Sequence, residues 1–270
     1  MKNTTSKTEL CEVLHLAATG KEQISRELIV EEPLLIRLNG SPYTVIMRTP
    51  GDELGHAAGF CLTDGIIESM ADVATIGHCT DLDPNVVEIR LSPAREGQAK
   101  EIISRRGFIS QTSCGICGRE LVKEILQDLK PIVDDTCIPF TKVVAGFDLL
   151  GASQNYYGNT RGSHAAILCD QDMNLIASAE DVGRHNAMDK AIGTALMRRT
   201  LGEVKIAVVS SRLSYELVQK AARATIPILL SLSRPTSLAV DTAKQLAMTL
   251  ACSDKEGGLL VFCNRERLQA

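Results

Sequence analysis

Two cysteines three residues apart, Cys114 and Cys117, stand in the glycine-flanked run TSCGICG and are the clearest place for chemistry in this chain. Their spacing brings two sulfurs within reach of each other and fits half a metal site, a redox pair or a sulfur relay. The segment RELVKEILQDLKP follows at once, with Leu121, Ile125, Leu126 and Leu129 at helical spacing and Pro131 as a stop. The pair therefore precedes the N-terminus of an expected helix, whose positive end, with Arg119 and Lys123 nearby, favours thiolate. Glycines at 115 and 118 leave the loop open to another protein's sulfur. A surface turn with two incidental cysteines is the plain alternative.

His164 invites comparison with zinc-dependent deaminases, which join a His, a nearby Glu and a PCxxC run. Here the cysteine pair precedes the histidine, no proline precedes the pair, and Ala165-Ala166 stands where the proton-shuttling Glu would be. A zinc-dependent nucleotide hydrolase would lack its acid/base and would predict stoichiometric zinc, so no metal site is expected. His56, inside an expected helix, reads as a packing residue.

Strands are expected at 34–38 and 43–47 across Asn39-Gly40, a dipeptide that tolerates positive φ and marks hairpins. Pro50-Gly51-Asp52 breaks the sheet, and Asp52 is placed to cap a helix running to about Leu62. Further strands are expected near 75–79 and 86–91. Residues 92–112 are polar and basic and read as an exposed connection. The second half alternates: HAAILC, a turn, LIASA, a helix over 182–197, KIAVVSS, SYELVQKAARA, IPILLSLS, a helix over 235–250 and GLLVFC. That pattern predicts a mixed, mainly parallel sheet in three layers.

At 270 residues and 29.2 kDa the chain is long enough for one large domain or two modest ones with a true hydrophobic core. It is 44% hydrophobic and 23% charged, with a mean hydropathy of +0.04, which excludes disorder as the dominant state. Only ten uncharged residues separate Arg223 from Arg234, half of what a membrane-spanning helix needs. The first residues carry scattered charges and no continuous apolar core, so a cytoplasmic protein is expected. A net charge of −4 and 3% aromatics, with no Trp, argue against a nucleic-acid surface. Nine cysteines with only one close pair form no disulfide framework, and most are expected to be small buried hydrophobes.

Several separated stretches then occur in one order: EEPLLIRLNG…VIMRTPGD, GFCLTDGIIES, TSCGICG, HAAILC, EDVGRHNAMDKAIG, SSRLSYELVQKA and LVFCNR. Together they resemble the FdhD family of sulfur carrier proteins, accessory factors of formate dehydrogenase. The resemblance implies an α/β protein: an α+β N-terminal unit plus a three-layer mixed sheet similar to the cytidine deaminase fold without its zinc. It divides the chain into a leader over 1–30, an α+β unit over 31–135 with the CxxC loop near 105–118, and a cofactor-binding domain over 136–270. Such proteins accept sulfur from a cysteine desulfurase as a persulfide and pass it to the molybdenum (or tungsten) bis(molybdopterin guanine dinucleotide) cofactor, here a bound substrate. On that likeness Cys114 bears the persulfide and Cys117 is its partner in relay or release. The family's cofactor segment falls on Phe262, Cys263, Asn264, Arg265, Glu266 and Arg267.

Ligands of open parallel sheets gather beyond the carboxyl ends of strands. Ser210-Ser211-Arg212, Ser231-Leu232-Ser233-Arg234 and Cys263-Asn264-Arg265 are expected there, and suit a pyrophosphate and a guanine nucleotide. In EDVGRHN, Asp181 is placed to cap a helix and Arg184 to reach a phosphate, with His164 and His185 as further candidates. Hydrogen-bonded framework for the histidines, solvated charge for Arg212 and Arg234, and simple burial for Cys263 are the plain alternatives. A homodimer is expected from the resemblance. A non-enzymatic chaperone that only binds and docks the guanylated cofactor is the rival reading.

Overall fold

The computed structural model describes residues 6–79, 83, 85–111, 129–254 and 257–269. Cys114, Cys117 and the body of the helix expected after them lie outside the described residues. The chain opens with a hairpin of β1 (Thr8–Ala17) and β2 (Gly20–Ile29), where the sequence suggested only a polar leader. A four-stranded sheet follows in the order β4-β3-β6-β5, built from β3 (Glu32–Leu38), β4 (Ser41–Arg48), β5 (Val73–His78) and β6 (Val86–Leu91). Asn39 and Gly40 turn β3 into β4 at φ 48° and 82°, as the dipeptide predicts.

Helix α1 (Glu53–Thr63) lies across this sheet. Asp52 stands at its N-cap position with φ 59° but makes no side-chain cap; it instead faces Lys7 at 3.8 Å. Residues 92–112, expected to be an exposed connection, form α2 (Pro93–Gln111) instead. Proline opens the helix where its missing N–H costs nothing, and Ala99, Ile102 and Ile103 supply a narrow apolar strip against the core. Arg95 is buried, donating to the carbonyls of Gly65 and Ile66 at 2.8 Å each. The helix runs to Gln111, and residues 112–118 of the expected CxxC loop lie outside the described residues.

The second half holds α3 (Phe140–Ala152), α4 (Tyr157–Thr160), β8 (His164–Cys169), β9 (Leu175–Asp181), α5 (Arg184–Met197), β10 (Ile206–Val209), α6 (Tyr215–Arg223), β11 (Ile228–Ser231), α7 (Ser237–Gln245), β12 (Thr249–Ser253) and β13 (Leu259–Cys263). A short bridge joins β7 (Ile138–Pro139) to β14 (Leu268–Gln269). The main sheet runs β13-β12-β11-β10-β8-β9, with only β10–β11 and β11–β12 parallel. It is therefore mixed but not mainly parallel. The expected helix over 235–250 ends at Gln245, since Ala247 takes φ 53° and Thr249–Ser253 enters the main sheet as a buried strand between β11 and β13.

The layers follow from which strand faces are apolar. Ala165, Ile167, Ile206, Val208 and Ile228 meet Val143 and Leu150 of α3 on one face. Ala166, Leu168, Ala207, Val209 and Leu229 meet α5, α6 and α7 on the other. Helix α1 then sits between α5 and the four-stranded sheet, fusing the two halves into one core. The α1–α5 crossing is so close that a Cβ on Gly59 would stand 1.9 Å from the Asp189 carbonyl oxygen, and one on Gly193 1.8 Å from that of Gly55.

Candidate functional site: the carboxyl edge of the main sheet

Because β8 runs against β10, its first residue, His164, sits beside Ser210 at the carboxyl ends of the central strands. Ser210 Oγ lies 2.9 Å from the Ala165 amide, which donates to it, and 3.4 Å from His164 Nδ1. The end of β9 pairs with the start of β8, so the turn into α5 brings Arg184 and His185 to the same edge. Ser211, Arg212, Ser231 and Arg234 complete the row, followed by the N-termini of α6 and α7. Free backbone amides at helix N-termini and guanidinium groups make such an edge suited to phosphate oxygens.

Charge at this edge is organised around the histidines. Burial, reinforced by the charges of Arg184 and Lys220, pushes His185 down to about 4, against the opposing pull of Glu216. Its Nε2 lies 3.9 Å from Glu216 Oε2. Burial and then Arg184 likewise push His164 below its usual range. Both rings are therefore neutral near pH 7, and each keeps one N–H to donate.

Other expected site residues serve the framework. Asp181 is fully buried; it accepts from the amides of Thr49 at 3.1 Å and Gly183 at 2.8 Å, from Asn186 Nδ2 at 2.9 Å, and pairs with Lys190 at 2.7 Å. It locks the β9–α5 turn to the N-terminal half and does not cap the helix, whose N-cap is Gly183. Ser211 is buried, and its carbonyl accepts from the Ser231 hydroxyl. Arg234 donates to the Ser253 carbonyl at 2.9 Å and faces Asp254 at 3.5 Å, while Arg212 stays exposed.

The segment Phe262–Arg267 lies elsewhere. Since β13 runs against β12, with Cys263 opposite Leu250, these residues sit at the amino ends of the parallel strands. One five-residue strand, roughly 13 Å, separates them from the row of His164 and Ser211. Asn264 donates to the Met248 carbonyl at 2.6 Å, and Arg267 is buried, donating to Ala247 at 2.7 Å and to Asp134 at 3.3 Å. Cys263 Sγ faces the Met248 carbonyl at 3.4 Å, and burial pushes its thiol up. Phe262 is half-buried, leaving Arg265 and Glu266 exposed.

Sequence reasoning missed Glu180, which accepts from the amides of Asn155, Tyr156 and Tyr157 at 2.6, 3.0 and 2.7 Å and from Ser163 Oγ at 2.5 Å. It holds the segment leading into His164; the paired acids at the end of a strand were the available signal. Burial pushes Cys61 and Cys169 up to about 12 and Cys252 to about 11, marking them as inert packing thiols. Among the described residues no three His, Cys, Asp or Glu side chains converge as a metal site, and no helix is long and apolar enough to cross a membrane.

Fold and edge together define a mixed α/β protein of two fused units with a cationic, hydroxyl-lined strand edge. The FdhD/NarQ family pattern matches residues 29–269. A sulfur carrier protein FdhD from Anaeromyxobacter dehalogenans is 38% identical over 253 residues, covering 89% of this chain and 88% of its own. One from Streptomyces coelicolor is 37% identical over 251 residues, covering 89% and 88%. A crystal structure described as that of a formate dehydrogenase accessory protein from Desulfotalea psychrophila shares the fold, with a TM-score of 0.79 over 98% of this chain and 100% of that one, at 24% identity. The chain belongs to the FdhD/NarQ family.

Proposed function

We propose that the protein is a sulfurtransferase that carries persulfide sulfur from a cysteine desulfurase to the molybdenum bis(molybdopterin guanine dinucleotide) cofactor of formate dehydrogenase. The observation that carries the reading is the family match, which spans TSCGICG and is shared with relatives named as sulfur carriers. The Cys114 thiolate attacks the outer sulfur of the desulfurase persulfide; a new S–S bond forms, the old one breaks, and the desulfurase cysteine leaves as thiolate. The Cys117 thiolate then attacks Cys114 Sγ. Hydrosulfide leaves to the cofactor, and the pair ends as a disulfide, its two electrons having reduced the sulfane sulfur. A cytoplasmic dithiol restores the pair.

The carboxyl edge supports this reading as the seat of the substrate's guanylate arms. Arg184 and Arg212, with the N-terminal amides of α5 and α6, suit pyrophosphate oxygens, and neutral His164 and His185 donate without adding charge. Phe262–Arg267, at the opposite end of the strands, would meet a different part of this large substrate or a second copy's. A homodimer belongs to the same proposal. Formate dehydrogenase activity in cells that depend on this protein separates carrier from chaperone. A carrier loses activity by at least about 100-fold on Cys114→Ser, whereas a chaperone keeps most of it.

A further inference from the structure

Glu216 is an acid set in a row of phosphate-seeking groups. It stands in the first turn of α6, its side chain 55% exposed and 3.9 Å from His185 Nε2, too far for a hydrogen bond. Burial pulls its carboxyl up, yet the Ser214 hydroxyl, its own amide, His185 and Arg184 outweigh this and hold it below its usual range. It is therefore ionised at pH 7, and after the hydroxyl and the amide its two oxygens still have room for two more donors. The other described acids near this edge are already paired: Glu180 with three amides and Ser163, Asp181 with Lys190, Asp189 with Lys220 and Asp254 with Arg234. An acid in a first turn favours its helix. A carboxylate also repels phosphate, so its place beside a pyrophosphate seat suits a ligand that brings N–H donors as well.

Apolar surface lies alongside. The loops leading into α6 and α7 run side by side, with Leu213 bridging Pro235 and its carbonyl accepting from the Thr236 amide at 3.0 Å. On the second loop and in the first turn of α7, Leu232 and Leu238 are 44% and 41% exposed. Arginine for phosphate, leucine for a ring face and a carboxylate for paired N–H groups together match a guanine nucleotide. We infer that Glu216 is the residue that reads the base, its two oxygens accepting from guanine N1–H and the 2-amino group. Adenine has an acceptor at N1 and no 2-amino group, so the same carboxylate turns it away. The inference rests on the reading of the carboxyl edge as the seat of the guanylate arms.

Calorimetry on the full chain with four nucleotides tests it, with circular dichroism and the unfolding midpoint as controls for folding. The wild type is expected to bind guanosine diphosphate about tenfold more tightly than inosine diphosphate, which lacks the 2-amino group, and at least about 100-fold more tightly than adenosine diphosphate. Glu216→Gln is expected to lose about 30-fold for guanosine diphosphate and to gain about tenfold for xanthosine diphosphate, which carries an oxygen in place of the 2-amino group and accepts from the new side-chain amide. A role confined to the helix would move neither preference. Guanosine diphosphate bound selectively by the wild type and equally well by Glu216→Gln overturns the assignment and leaves the seat in place. Guanosine and adenosine diphosphates bound alike by the wild type overturn it too, and reduce the edge to a phosphate site. No nucleotide bound by the wild type overturns the seat itself, and the assignment with it.

Discussion

Lys190 Nζ lies 2.7 Å from Asp181 Oδ2, with the two side chains 1% and 0% exposed, and donates a second hydrogen bond of 2.7 Å to the Thr49 carbonyl. One residue earlier on α5, Asp189 accepts from Lys220 at 2.7 and 2.8 Å and from Thr63 at 2.7 Å. Two consecutive residues thus tie the N-terminal unit to the turn that carries Arg184 and His185. Removing one member leaves a buried charge without its partner. Lys190→Met is expected to cost about 3–5 kcal/mol in urea unfolding, and Lys190→Met with Asp181→Asn, which removes both charges and keeps a carbonyl oxygen for the Gly183 and Asn186 donors, distinctly less. Equal losses for the single and double variants would show that the ion pair is not what matters there.

Backbone contact between α1 and α5 makes a second expectation. Gly59→Ala or Gly193→Ala must push the helices apart, and each is expected to lose about 3 kcal/mol or more. Gly151→Ala, on the exposed side of α3 with nothing within 4 Å of the new methyl, is expected to be neutral or slightly stabilising. Thermal unfolding of the three variants side by side decides whether the crossing is as close as described.

Acid should loosen the fold before the carboxylates titrate. His185 is held at about 4, and burial holds His56 and His164 below their usual range, so the unfolded chain binds more protons than the folded one as pH falls below 6.5. Stability is therefore complete above about pH 6.5 and is lost between there and pH 4. The His185 share is about 1–2 kcal/mol once solvent screening of its one-third-exposed ring is allowed for. Urea midpoints at pH 7.5, 6 and 5 should fall in that order, and less steeply for His185→Gln. A flat profile would contradict the burial of these rings.

The two ends of the main sheet should respond differently. Arg212→Ala is expected to weaken guanosine diphosphate binding about tenfold by calorimetry while leaving the unfolding midpoint in place. Arg267→Ala removes donors from the Ala247 and Asp134 carbonyls and should cost about 2–3 kcal/mol of stability. A nucleotide that depends on Arg267 and ignores Arg212 would move the substrate to the amino edge.

Much of this arrangement was legible in the residues. Asn39-Gly40 announced its hairpin, and the apolar runs after His164 announced the strands of the main sheet, because local propensity and burial agree there. The first hairpin was not legible: Glu12 interrupts the leucines of β1, and neither strand is covered enough to need strict alternation. Helix α2 hid because, among its described side chains, Ala99, Ile102 and Ile103 are the apolar ones packed against the core and their neighbours are mostly polar. Asp181 read as a helix cap, since its partner Thr49 is 132 positions away and a pairing that long leaves no local pattern. The same holds for Phe262–Arg267: the reversal of β13 that carries it to the far edge is a matter of strand direction, not of composition.

The most direct test of sulfur carriage is the mass of the Cys114–Cys117 peptide after incubation with a cysteine desulfurase and cysteine. A gain of one sulfur that reductant removes, present in the wild type and absent from Cys114→Ala, is the expected result. No gain, in a protein that still binds the guanylated cofactor, would contradict the carrier and leave a chaperone.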